Sequence, residues 1–205
     1  MMRILKAVPL VAAIALFAAA PAVAQDHVFK VFVTTNWISP QAEEEVTLGL
    51  VTDTVNGADD TGYEAGFEWR LNKLVGLEGS YMVADQGIEF GGDQIGSLDQ
   101  KALTAALNFH IIPNKGFDLW VAPVVSWVDW SDFEFDQSFG GGSVAVDDQT
   151  VFGAAVGFDI GIGETFAITA GLRYFSMDVQ AEDFEALKLD PLIARVGVAF
   201  RFGKS

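Results

Sequence analysis

Two histidines, no cysteine, 28 acidic and 12 basic residues set the chemistry open to this chain of 205 residues. Acyl transfer or hydrolysis needs a hydroxyl or thiol nucleophile beside a base. His27 precedes the first patterned segment and His110 closes the fourth, whereas Ser131, Ser138 and Ser176 lie in links at the other end of the segments. No catalytic residue is assigned on that arrangement. Metal chemistry has only carboxylates to draw on, in DWSDFEFD (129–136) and VDDQ (146–149). These are hard oxygen donors of the type calcium prefers, but neither has the spacing of an EF-hand loop, so no metal or cofactor is assigned. What remains is a set of charges placed singly between apolar or small residues: Lys30, Glu68, Arg70, Glu78, Asp159, Arg173, Arg195 and Arg201. Both signs occur, so in a confined space they would neutralise one another.

The elements that carry these charges alternate with period two. VFKVFVTTNWI, GYEAGFEWR, VGLEGSYMV, KALTAALNFHI, LWVAPVVSWV, VFGAAVGFDI, FAITAGLRYF and LIARVGVAFRF read as eight strands. Short turns (LNKL, IPNKG, GIGE) rich in Asn and Gly alternate with long acidic links around 39–61, 87–98, 131–149 and 178–188. Three turns at one end and four loops at the other predict an all-β, eight-stranded antiparallel up-and-down transmembrane β-barrel. A soluble sandwich is the rival. Its polar face would meet water, yet here that face is rich in small residues, among them Gly66, Ser80, Ala106, Gly157 and Gly197, which suit a narrow lumen. The opposite face is aliphatic with Trp37, Tyr63, Trp69, Tyr81, Trp127 and Tyr174 near its ends, as a lipid-facing band with aromatic girdles is.

The first residues, MMRILKAVPLVAAIALFAAAPAVAQ, pair Arg3 and Lys6 with an apolar run and an A-x-A site before Gln25. Residues 1–24 are therefore expected to be a cleaved signal peptide and 25–205 the barrel domain. Without Arg3 and Lys6, 10 Lys and Arg face 28 Asp and Glu, and the net charge moves from −16 to −18. So acidic a chain excludes nucleic acid as a partner, because that affinity rests on cationic phosphate contacts.

Sorting the inward residues by depth predicts two zones. Lys30, Glu68, Arg70, Glu78, His110, Asp159 and Arg201 fall near the periplasmic end, where the short turns lie, with Arg173 and Arg195 nearer mid-depth. They form a charged floor. Toward the loops lie Phe32, Met82, Val124, Val128, Val151, Phe175, Met177 and Ile193, an apolar cup. The cup is read either as a pocket for a small hydrophobic ligand or as side chains that merely fill the lumen. Pro123 faces lipid mid-strand without an N–H for the ladder, and it is read either as a lateral gap or as a tolerated defect.

GLRYFSMDVQAEDFEALKLDPLIARVGVAFRF resembles the last hairpin of the OmpW family, with an RY-containing strand, a D-P pair and a G-x-x-x-RF ending. NFHIIPNKGFDLWVAPVVSW is similar to that family's central hairpin and WISP to the end of its first strand. The resemblance implies an eight-stranded barrel in the outer membrane of a Gram-negative bacterium, proposed to take up small hydrophobic molecules and lacking an open aqueous pore. Phe200 and Phe202 in the last strand resemble the signal read by the barrel-assembly machinery, although Gly203, Lys204 and Ser205 follow. Lipid and lipopolysaccharide are the expected surroundings, the latter bridged to the acidic loops by divalent cations. Two functions stay open: passive admission of small hydrophobic molecules through the cup, or a structural or adhesive barrel with a sealed lumen. Small barrels that are lipid A deacylases or palmitoyl transferases form a third class, which the separation of histidine from serine disfavours.

Overall fold

The computed structural model describes residues 29–41, 43–48, 51–90, 93–113, 116–136, 141–179 and 187–203. The expected signal peptide, His27 and Ser138 lie outside them. Chains rich in Val, Ile, Thr and aromatics at alternate positions form pleated strands with two different faces. Eight such strands follow in order: β1 (Phe29–Ser39), β2 (Asp60–Arg70), β3 (Val75–Phe90), β4 (Asp93–Pro113), β5 (Phe117–Trp130), β6 (Gln149–Ile162), β7 (Phe166–Ser176) and β8 (Leu192–Phe202). Each pairs antiparallel with its neighbour, and β8 returns to β1 over eleven residue pairs from Phe29↔Phe202 to Ser39↔Leu192. The sheet is a closed barrel. Closure is what lipid requires, because an unpaired backbone group there costs several kcal/mol.

In β1, Lys30, Phe32, Thr34, Asn36 and Ile38 are buried while Val31, Val33, Thr35 and Trp37 face outward. The same alternation runs through the other strands. Trp37, Tyr63, Phe152 and Val198 are each more than half exposed, as expected of a wall that meets hydrocarbon. The turns close as their residues suggest. Asn72 Oδ1 accepts from the amides of Leu74 and Val75 at 2.8 and 3.0 Å, and Gly163 supplies a φ of 71° between β6 and β7.

The four links expected to be loops carry strands of their own. About 9–11 residues suffice for a strand to cross a bilayer, yet β3 has 16 and β4 has 21. Their hairpin continues beyond the span, with Ile88, Ile95 and Leu98 still buried although strict alternation is lost. A hairpin of Glu43–Leu48 and Val51–Gly57 joins it through Val55–Gly57 against Ile88–Phe90. On its other edge Phe133–Phe135 pairs with Gly96 and Ser97, and in turn with Ser143–Val144. Asp178–Val179 pairs with Leu187–Lys188 in a separate small ribbon. Together these make a β-structured collar over the loop end.

Candidate functional site in the barrel lumen

The luminal charges form ion pairs in two layers. At the turn end Lys30 Nζ lies 2.6 Å from Glu68 Oε2 and 3.0 Å from Asp159 Oδ2. Arg201 Nη2 reaches the same Asp159 oxygen at 3.3 Å. Glu68 Oε1 meets His110 Nε2 at 2.7 Å and Arg70 Nε at 3.4 Å, and Arg70 also pairs with Asp118. His110 Nδ1 lies 3.0 Å from Asp118 Oδ1. The second layer sits nearer mid-depth. Arg173 donates to Glu64 at 3.1 Å and Glu78 at 3.3 Å, and Arg195 grips both oxygens of Glu78 at 2.8 and 3.3 Å. Asn36 and Asn108 each donate an amide hydrogen to this layer, to Glu64 at 3.2 Å and to Glu78 at 3.1 Å.

Phe32 and Trp120 separate the layers. Lys30 Nζ from the lower one lies 5.8 and 5.9 Å from their ring centroids, and the Arg195 guanidinium from the upper one 5.3 and 5.0 Å. Cations so placed are attracted by the negative ring faces. The rings fit because glycine lies behind each: a Cβ at Gly66 would overlap Phe32 Cζ, and one at Gly157 would overlap Trp120 Cζ2. Phe32 therefore belongs to the floor, packed with Ala167 and Ala199, and not to the cup; its position two residues after Lys30 on the inward face of β1 agrees with this. Glu78 also departs from its expected place. Its backbone pairs with Glu68 across β2 and β3, and the two carboxylates, like in charge, point to different layers.

Five carboxylates, from Glu64, Glu68, Glu78, Asp118 and Asp159, thus meet five fixed cations, from Lys30, Arg70, Arg173, Arg195 and Arg201. Balance offsets the desolvation cost of several kcal/mol that each ion incurs in a narrow lumen. Glu64, Asp118 and Trp120 were not placed by depth from sequence, although Glu64 stands in the alternation GYEAGFEWR and Asp118 one residue before LWVAPVVSWV.

Above the floor, the other cup residues come together. Met82, Val128, Val151, Phe175, Met177 and Ile193 line one cavity of about 10 Å³, the room of a single water. Val124 packs in the same cluster, which the collar extends upward with Ile88, Ile95, Leu98 and Trp130. The cavity also touches Gln100, Thr104, Ser126 and Arg173. Its polar side was not foreseen. In the wall nearby, Ala105 and Ala106 pair with Val125 and Val124, and pairing resumes at Phe109 and Val121 in unchanged register. The two intervening positions opposite Pro123 and Ala122 are unpaired on the β4 side, while Pro123 keeps its place beside Ala154 of β6.

Residues 9–202 match the family model described as outer membrane protein beta-barrel domain. The chain belongs to that family. No curated protein matches it in sequence, but solved outer-membrane barrels share its fold. The crystal structure of OprG from Pseudomonas aeruginosa superposes with a TM-score of 0.71 at 15% identity, over 87% of this chain and 97% of that one. The solid-state NMR structure of AlkL gives 0.61 at 15% identity, over 91% and 94%. Outer membrane protein W of E. coli gives 0.50 at 16% identity, over 87% and 99%. The fold of this outer-membrane barrel is thus of the OmpW type that its last hairpin resembles.

His110 is committed to Glu68 and Asp118 at the turn end, whereas Ser131 bonds to Asp99 and Asp132 in the collar. Among the described residues, His110 and Ser131 thus lie at opposite ends of the barrel. Among the described residues, no three His, Asp or Glu side chains converge as a metal site. Asp148 instead accepts from the amide of Trp130 at 3.2 Å.

Proposed function

We propose that this outer-membrane barrel admits small hydrophobic molecules passively, from the loop side into the cup, and releases them sideways into the membrane. The observation that carries this reading is the combination of an apolar upper lumen with a doubly ion-paired floor. A path straight through would have to break buried pairs, so an apolar guest has no favourable route downward. The ladder interruption beside Pro123 lies between Val124 of the cup, paired with Ala106, and the level of Asn108 of the floor, which supports exit at that level. Opening the cup falls to Met82, Met177 and Phe175, and methionine's three rotatable bonds suit it to repacking around varied guests.

A sealed structural or adhesive barrel is the second reading, favoured by the small volume of the cavity. Saturable binding of a fluorescent alkyl probe to the detergent-refolded barrel separates the two. Phe175→Glu and Val124→Glu should abolish binding while the barrel stays folded. Unsaturable probe uptake that is the same in both variants would leave the lumen as packing. The same reading places the protein in a Gram-negative outer membrane after cleavage of residues 1–24, with Phe200 and Phe202 recognised by the assembly machinery. The acidic collar would meet lipopolysaccharide through divalent cations.

A further inference from the structure

At the junction of cup and floor, two buried polar atoms take no part in the ion-pair network. Arg173 gives its two terminal nitrogens to Glu64 and Glu78, while its Nε has no partner. Gln100 Oε1, on a residue 3% exposed, has none either. Both side chains line the 10 Å³ cavity, together with Thr104 and Ser126, whose hydroxyls bond to each other at 2.9 Å. Native proteins seldom leave such atoms unpaired, because each has given up its hydrogen bonds to water. One donor and one acceptor without partners thus belong to side chains that line a space the size of a hydroxyl.

We propose that this recess receives the head of an amphiphile, and that the head is uncharged and both donates and accepts a hydrogen bond, as a primary alcohol does. The proposal rests on the cup being the ligand site argued above. The alcohol oxygen accepts from Arg173 Nε–H, its hydroxyl hydrogen goes to Gln100 Oε1, and the alkyl chain lies among Met82, Phe175 and Met177. Charge excludes the alternatives. The five carboxylates and five cations of the floor already balance, so a carboxylate head would arrive beside Glu64 and Glu78 without a counter-ion of its own. An ammonium head would meet Arg173. An alkane would bury its chain equally well but leave both polar atoms unpaired, and sites built for a polar group discriminate against analogues that lack it.

The test is displacement of the fluorescent alkyl probe from the refolded full chain at pH 7 by octan-1-ol, octanoate, octylammonium and n-octane. Each is measured on wild type, Gln100→Met and Arg173→Lys, with empty micelles as the blank and gel mobility confirming the folded barrel. Comparing ratios between proteins cancels partition into detergent. Octan-1-ol should displace the probe at a concentration about tenfold below octanoate and octylammonium on wild type. That preference should fall to within about threefold on Gln100→Met, which loses the acceptor, and on Arg173→Lys, which keeps the charge but loses the Nε–H. Equal ratios on all three proteins would overturn the head-group assignment and leave the pocket standing. Absence of saturable probe binding would overturn both.

Discussion

Glu68 is the residue on which the lower layer turns, since Lys30, His110 and Arg70 all meet its carboxylate. Replacing it with Gln removes the anion and leaves buried cations short of a partner. Breaking a buried pair in this way costs about 3–5 kcal/mol. The Glu68→Gln barrel should therefore unfold at a clearly lower urea concentration than wild type, and an unchanged midpoint would show that the layer contributes little. Trp120 offers a second test, because its ring stands between the layers. Trp120→Ala removes a fully buried aromatic, a change costing about 3–5 kcal/mol, and should lower the same midpoint. Legibility from sequence divides at this scale too. The inward charges were readable because a lone Lys or Arg between apolar neighbours stands out. Gln100 was not, because nothing local marks a glutamine whose acceptor faces a cavity. Phe32 reads as part of the cup by its aromatic type, whereas its position two residues after Lys30 on β1 puts it at the floor.

At the scale of the strand, the eight barrel segments were legible because lipid and lumen impose opposite demands on alternate residues. The collar strands were not, because beyond the membrane the outward face is polar and the alternation fades into runs such as QGIEFGGDQIG. Pro123 belongs to this scale as well. Its missing N–H leaves one seam of the wall loose between Ala106↔Val124 and Phe109↔Val121, which keep one register, and the ladder shifts register only beyond His110. Pro123→Val supplies the donor that β5 lacks. Amide exchange of the β4 residues facing it should slow, read by hydrogen–deuterium exchange in detergent, and alkyl uptake into liposomes carrying the variant should slow with it. Slower exchange with undiminished uptake would move the exit elsewhere.

At the scale of the whole molecule, barrel and collar share one apolar cluster but can be tested apart. All eight wall ladders close below the collar, so replacing residues 86–98 with a short turn should leave a barrel that refolds and shows the folded gel mobility. The same deletion removes Ile88, Ile95 and Leu98 from above the cup and should weaken alkyl-probe binding by about tenfold or more. A barrel that fails to fold would mean the collar is part of the core. The full-length seam between β1 and β8 has a different kind of consequence. Once that seam is made, the wall is a ring, and the place where the chain happens to be cut has no structural meaning. A circular permutant joined across Phe29 and Phe202 by a short linker, and opened in the turn after Arg70, should assemble the same ring. It would, however, have to zip β2 against β3 as the final act of assembly, so the order of events would change while the product did not.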